Sequence, residues 1–247
     1  MPQPIDVWFW PTPNGVKVTI ALEEMDLPYM IRPLNIGRGD QFKPEFQAIN
    51  PNGRMPAIVD PEPIGGGGPL SLFESGAILQ YLARKSGRFG GEGERGRVKV
   101  EQWLMWQMGG FGPMLGQAHH FRGYAPAFTA DQRHLAYGAN RYTNEAHRLY
   151  GVLDRALGEA EYVAGEYSIA DMAIWPWAQY GDRQGVDRAE FPNVFRWFEA
   201  VKARPSVQAG ARVGENLRQT NLATAGAAAD AQRSVLFGQR ARLKPAG

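Results

Sequence analysis

The stretch Trp10-Pro11-Thr12-Pro13-Asn14-Gly15 constrains this chain more than any other. The apolar run Ile5-Asp6-Val7-Trp8-Phe9-Trp10 precedes it, and the helical spacing Val16, Ile20, Leu22, Met25 follows. A strand has to end and a helix begin within a few residues. Pro11 and Pro13 fix φ and bring no N–H, so the turn is stiff. Asn14 is a good N-cap, and the helix start behind it offers free N–H groups and the positive end of a dipole. A thiolate or another anion suits that position. An ordinary capped strand-to-helix turn uses the same residues, so any chemistry has to be argued from the rest of the chain.

The next segment, Pro28 to Leu34, has strand character, and strand-helix-strand implies a parallel pair with a right-handed crossover. Gly37-Arg38-Gly39-Asp40 forms a loop, and Gln41 to Ala48 a short irregular helix. Asn50-Pro51-Asn52-Gly53-Arg54-Met55-Pro56 is a turn leading into the strand Ala57-Ile58-Val59-Asp60, with a cis Met55-Pro56 bond open. The four glycines Gly65 to Gly68 lie in a hairpin loop before the strand Leu70 to Phe73. Glu74-Ser75-Gly76 then opens a helix carrying Ile78, Leu79, Tyr81 and Leu82. Gly87 to Gly93 is a glycine-rich break between domains.

Beyond that break the pattern is helical throughout. One helix runs from about Glu94 to Met108 and bends near Gly109-Gly110 and Gly112-Pro113, and a long one runs from about Asp131 to Leu157. Ser168-Ile169-Ala170-Asp171 is a capping box before an apolar helix. Phe191 to Arg204 is amphipathic and is closed by Pro205. From Gly214 onward an Ala-, Gly-, Gln- and Arg-rich tail is expected to be extended, or to dock on a neighbour through Val235-Leu236-Phe237.

Composition removes whole classes of function. There are 247 residues, enough for one large or two small domains, with 44% hydrophobic and 21% charged residues and a mean hydropathy of −0.38. The net charge of +2 comes without a Lys/Arg block, so no nucleic-acid partner is expected. No run approaches the ~18 apolar residues of a membrane span, and a cytoplasmic location is the expectation. Cysteine is absent, which excludes disulfides, thiolate metal sites and a protein-borne catalytic thiol. His119-His120 lacks an acidic partner at ligand spacing, so no metal is expected. Any sulfur chemistry has to come with a cofactor.

A βαβ unit, a ββα unit and then helices is the layout of a glutathione transferase. Thr12-Pro13-Asn14-Gly15, Gly39-Asp40-Gln41-Phe42, Pro44-Glu45-Phe46, Asn52 to Ile58 and Leu72 to Ile78 resemble the Nu class of bacterial glutathione transferases. So do Gln102-Trp103-Leu104, Gly112-Pro113-Met114, His119-His120-Phe121 and Ile174-Trp175-Pro176-Trp177. The resemblance implies an α/β plus all-α architecture. A thioredoxin-like glutathione-binding domain at 1–87 is followed by an all-helical domain at 94–210 and a tail at 211–247, in a homodimer. It also implies a disulfide-bond oxidoreductase that holds two glutathiones, or one glutathione disulfide, per site and uses no protein cysteine.

Carried onto these positions, the resemblance assigns Thr12 and Asn14 to thiol activation, through a hydroxyl and an amide N–H aimed at sulfur. Ser75 and the helix-start N–H groups suit the carboxylate of the γ-glutamyl end, and Glu74 suits its ammonium. Met55, before Pro56, pairs its backbone with the cysteinyl part as an added strand does. Gln41 is a polar contact to the glycyl end, or else an exposed helix residue. Arg141 reaches the partner subunit's glutathione, or else only pairs with Glu145 on its own helix. The substrate is a small disulfide or a carbon electrophile, the latter implying a conjugating transferase or an ether lyase. A third possibility is a non-catalytic glutathione-binding regulator, similar to the fungal nitrogen regulator that shares the N-terminal motif.

Overall fold

The structure, a computed structural model, describes residues 2–127, 132–219 and 227–238. Strand β1 (Ile5–Phe9) alternates buried and half-buried positions, as a strand covered on one face should. It leads through the proline turn into α1 (Pro13–Glu24) and back into β2 (Tyr29–Pro33), which lies parallel to β1 with Val7 opposite Ile31. Helix α2 (Pro44–Ile49) and a cis Met55–Pro56 bond precede β3 (Ala57–Asp60), which pairs antiparallel with β1 and with β4 (Leu70–Phe73). The sheet order is β2-β1-β3-β4, and α3 (Ser75–Ser86) ends on Gly87 in the left-handed conformation.

The second half begins with α4 (Gly93–Trp106) and bends where the glycines predict it. Residues Gln107–Phe111 form a wide turn in which the Gly112 N–H reaches back to the Gln107 carbonyl. Pro113 has no N–H to donate to the preceding turn, so the ladder opens there. Helix α5 (Gly112–His119), a second wide turn (His120–Tyr124) and the long α6 (Gln132–Glu159) follow. The predicted start of α6 at Asp131 lies outside the described residues.

Helix α7 (Ile169–Ala178) starts with the predicted capping box, and Asp171 is fully buried within it. Its carboxylate accepts from the Val163 N–H at 3.1 Å, the Ser168 N–H at 3.0 Å and the Trp197 indole at 2.8 Å. Burial pushes its pKa up to about 6 against those hydrogen bonds.

Short α8 (Gly181–Gln184) and α9 (Pro192–Lys202) come next, and here the structure departs from the sequence reading. Pro205 does more than close a helix: it opens α10 (Pro205–Arg212), where its missing N–H costs nothing. The described part of the tail is also not extended. It forms α11 (Glu215–Gln219) and α12 (Ala227–Phe237), as an alanine-rich segment can, and α12 packs on its own chain. The tail's remaining residues, 220–226 and 239–247, lie outside the described ones.

Helix α1 joins the two halves. Nine of its residues are buried between α3, α7 and α10, which is why it is apolar nearly all round. Thr19 donates to the Gly210 carbonyl at 2.8 Å, and a Cβ at Gly210 would lie 2.6 Å from the Ile20 backbone. At the far end Arg204 grips Glu24 with two bonds of 2.6 and 2.9 Å. Among the described residues no helix is long and apolar enough to cross a membrane.

Candidate active site

The first turn of α1, the Arg54–Pro56 turn and the start of α3 lie side by side around a cavity of about 360 Å³. A second cavity of about 750 Å³ adjoins it toward α5 and shares Asn14, Arg54, Glu74, Met108, Trp177 and Leu236 with it. Both fall in the size range of small-molecule sites. A hollow of about 770 Å³ beside the Gly87–Gly96 linker contains none of these residues.

Thr12, not Asn14, is the N-cap of α1. Its Oγ accepts from the Gly15 N–H at 3.4 Å and its carbonyl from the Val16 N–H at 3.0 Å. Pro13 takes the first helical position, which moves the cap one place before it and puts Asn14 inside the helix. The early N–H groups are therefore largely committed, and α1 presents the Asn14 side chain to the cleft. A Cβ on Gly15 would lie 2.4 Å from the Trp10 carbonyl and 2.7 Å from Met55 Cε, so only glycine allows the turn to close on Met55.

The Asn14 amide is held from the other domain. The indole Nε1 of Trp177, on α7, donates to Asn14 Oδ1 at 3.0 Å. An indole N–H can only donate, so the amide oxygen must face it and the NH₂ is left to point elsewhere as a donor. The Thr12 hydroxyl donates to Met55 Sδ at 3.2 Å, so a sulfur already sits where this hydroxyl can serve one. The Met55 side chain thus takes part in the site, where the sequence reading gave a role only to its backbone.

At α3, Glu74 occupies the cap position with φ of 69°, an unusual conformation for a residue with a side chain. Such strain, of order 1–3 kcal/mol, collects at functional sites. Its exposed carboxylate accepts from Asn52 Nδ2 at 3.2 Å, while Ser75 beside it is buried. Gln41 is buried too, in a short helical turn, and is not an exposed helix residue. Its Nε2 donates to the Ile36 carbonyl, its buried Oε1 has no partner, and the residue lines the smaller cavity. Arg141 is not brought to this cleft: it is exposed on α6, 4.0 Å from Glu145, which Arg148 also holds at 2.7 Å.

Two residues missed by the sequence reading complete the cleft. Lys17 on α1 is 1% exposed, and its ammonium donates to Gln107 Oε1 at 2.7 Å, with Ser75 Oγ and Met108 Sδ each at 3.4 Å. Burial pushes its pKa down to about 7, partly opposed by the Glu74 carboxylate. The signal was present: Lys17 stands inside Val16 to Leu22, where a helix buried all round has no place for a charge. Gln107 had no such signal, because the wide turn alone brings it to the cleft. His119 and His120 pack on aromatic rings, and burial lowers the pKa of both. Among the described residues no group of three or more His, Cys, Asp or Glu side chains could hold a metal ion.

The sheet, the capped helix facing a cis-proline turn and the helical wall define a two-domain protein of thioredoxin-like plus helical type, with a donor-lined cleft between the halves. The glutathione S-transferase N-terminal domain matches residues 3–84 and the C-terminal domain residues 123–205, and the chain belongs to the glutathione S-transferase family. It is 50% identical over 203 residues to the disulfide-bond oxidoreductase YfcG of Escherichia coli (strain K12), covering 82% of this chain and 92% of that protein. A glutathione transferase family member from Pseudomonas fluorescens pf-5, solved with two glutathione bound, superposes with a TM-score of 0.78. The two are 45% identical, over 85% of this chain and 93% of that one. A Pseudomonas putida glutathione transferase, solved with one glutathione disulfide per subunit, gives 0.79 at 44% identity, over 85% and 91%.

Proposed function

We propose that this chain is a glutathione-dependent disulfide-bond oxidoreductase that works without a protein cysteine. The observation that carries the proposal is the Trp177–Asn14 hydrogen bond, which engages the amide oxygen of a residue lining both cavities and leaves its NH₂ as the donor, in a chain with no thiol of its own. The two cavities together offer room for two glutathiones or one glutathione disulfide, the ligands of the similar Pseudomonas proteins. The orphaned Gln41 Oε1 and Gln107 Nε2 fit a peptide ligand, which has both donors and acceptors to offer them.

Bound glutathione supplies the thiol that exchanges with a substrate disulfide. Asn14 holds its N–H at the position of the sulfur, and the Thr12 hydroxyl turns from Met55 Sδ to the same place. Both favour the anionic form of a thiol over the neutral one. Ser75 receives the γ-glutamyl carboxylate, Glu74 the ammonium, Met55 and Pro56 the cysteinyl backbone, and Gln41 the amide N–H at the glycyl end. The protein acts in the cytoplasm as a homodimer, with the 1–87 and 94–210 domains of each subunit forming one site and Arg141 reaching across to the partner's ligand.

The test is steady-state reduction of 2-hydroxyethyl disulfide by glutathione. Wild type should turn over, and Asn14→Ala should lose about tenfold or more, as for a positioned donor at developing charge. Equal rates would remove Asn14 from the reaction. Glutathione binding without turnover would favour a carbon electrophile or a regulatory role.

A further inference from the structure

Lys17 is a buried ammonium surrounded by neutral groups. Its nearest neighbours are a glutamine oxygen, a serine hydroxyl and a thioether sulfur, and among the described residues no carboxylate lies within ion-pair distance of it. An unpaired charge in such a place is expensive, and shifts its pKa instead. Removal of Lys17 would therefore help folding, unless something else completes the site.

What surrounds it indicates what completes it. Lysine can only donate, so its bond to Gln107 Oε1 turns the Gln107 Nε2 away as a donor, and that fully buried atom has no partner. The Ser75 hydroxyl donates to Met108 Sδ at 3.5 Å, a weak acceptor that a better one would displace. Two donors thus meet at one region of the cleft, Lys17 from α1 and Ser75 from the start of α3. Unsatisfied donors of this kind call for an anion with two acceptor oxygens.

We infer that Lys17 is a ligand-binding residue whose ammonium is the counter-ion for the γ-glutamyl carboxylate at Ser75. This rests on the reading that Ser75 receives that carboxylate. The other charges around Lys17 do not fill the role. Glu74 is exposed and bonded to Asn52, and Arg54 and His120 across the cavity are basic or neutral. On α7 Asp171 is tied to Ser168 and Trp197, and at α10 Arg204 is tied to Glu24 while Arg212 is exposed.

The consequence is a proton taken up on binding. Near neutral pH the empty site carries Lys17 partly deprotonated, and a carboxylate beside it restores the ammonium. Affinity should therefore fall as pH rises above about 7. His120, lowered by burial, is already neutral at pH 8 and adds nothing there.

The experiment is calorimetric titration with S-methylglutathione, which has no thiol to ionise, at pH 8 in two buffers of different ionisation enthalpy. Wild type should take up most of a proton per site. Its analogue with a 4-aminobutyryl group in place of γ-glutamyl, lacking only the carboxylate, should bind about 30-fold more weakly and without that uptake. In Lys17→Met the parent ligand should bind without proton uptake, and loss of the carboxylate should cost only about threefold. No uptake by wild type, which needs no variant to fold, overturns the inference. So does an equal carboxylate penalty in wild type and Lys17→Met when Ser75→Ala weakens the parent ligand. If the analogue binds wild type as tightly as its parent, the reading of Ser75 fails and takes this inference with it.

Discussion

The two walls of the cleft are built by different means. The N-terminal wall is local: Thr12 caps the helix that carries Asn14, Met55 sits on the turn before β3, and Glu74 and Ser75 open α3. Each side chain is fixed by turn chemistry within a few residues of itself. The helical wall is assembled at a distance. Gln107 and Met108 enter through a wide turn, Trp177 through α7 anchored on Asp171, and Leu236 and Phe237 through α12. One wall is a set of caps, the other a set of packed supports, and the supports should be the costlier to break.

Asp171→Ala gives the largest expected effect. It leaves the Val163, Ser168 and Trp197 donors buried without an acceptor, and should cost about 3–5 kcal/mol in urea unfolding. Removing the cap on the opposite wall, Thr12→Val, should cost only about 1 kcal/mol. A similar loss from both would end the distinction between the walls. The pH dependence adds a check. The folded-state pKa of Asp171 is raised to about 6 from 3.8, so between those values the folded state holds more proton than the unfolded one. The contribution of Asp171 to stability therefore rises as pH falls from about 6 toward 4, and the Ala variant should lack this rise.

Lys17→Met is the next largest, with the opposite sign. The folded-state pKa of Lys17 lies near 7, below its ordinary 10.5, so the unfolded chain binds more proton between those values. Lys17 therefore destabilises the empty protein fully below pH 7, and less and less as pH rises toward 10. The Met variant should be more stable by about 1–3 kcal/mol at pH 6, with the gain fading by pH 10. Thermal melts at both pH values measure it, and a variant less stable at pH 6 would make Lys17 a structural residue.

The same division explains what was legible in the sequence. The layout, the capping box and the bend near Gly109 came through because apolar period and local punctuation determine them. Thr12 and Asn14 both line the smaller cavity, yet the cap falls on Thr12 and not on Asn14, because Pro13 fills the first helical position and moves the boundary by two residues. Lys17 is marked as unusual by the apolar run around it, but the glutamine that meets it lies on a wide turn 90 residues further on. The bond from Trp177 to Asn14 spans 163 residues, and no local pattern contains it. Within a single chain Arg141 meets Glu145 and not the cleft, so its assignment to glutathione rests on resemblance and its test needs the dimer.

Trp177→Phe isolates one link between the walls. The N–H goes together with part of the ring that packs on Gly116, so the Asn14 amide loses the partner that orients it. Turnover should fall about fivefold, while stability falls by about 1–2 kcal/mol, the scale of one hydrogen bond and a partial loss of ring packing. If turnover is unchanged, Asn14 is oriented by its own wall alone.

The smallest effect belongs to the tail. Phe237 packs at a tilt on His120 and Tyr124, at 5.0 and 5.3 Å between ring centres, and Leu236 lines both cavities. Phe237 is 41% exposed, so only part of its surface can be gained by a ligand. A partly covered apolar wall distinguishes substrates by about 1 kcal/mol or less, far below what a positioned donor does. The double variant Leu236→Ser, Phe237→Ser should therefore leave kcat/KM for 2-hydroxyethyl disulfide within about twofold. It should lower the value for a diaryl disulfide by about threefold to fivefold. Equal losses for both substrates would mean that α12 supports the site as a whole, in the manner of Asp171. Selective loss for the aromatic one would make the tail a wall that chooses substrates without holding glutathione.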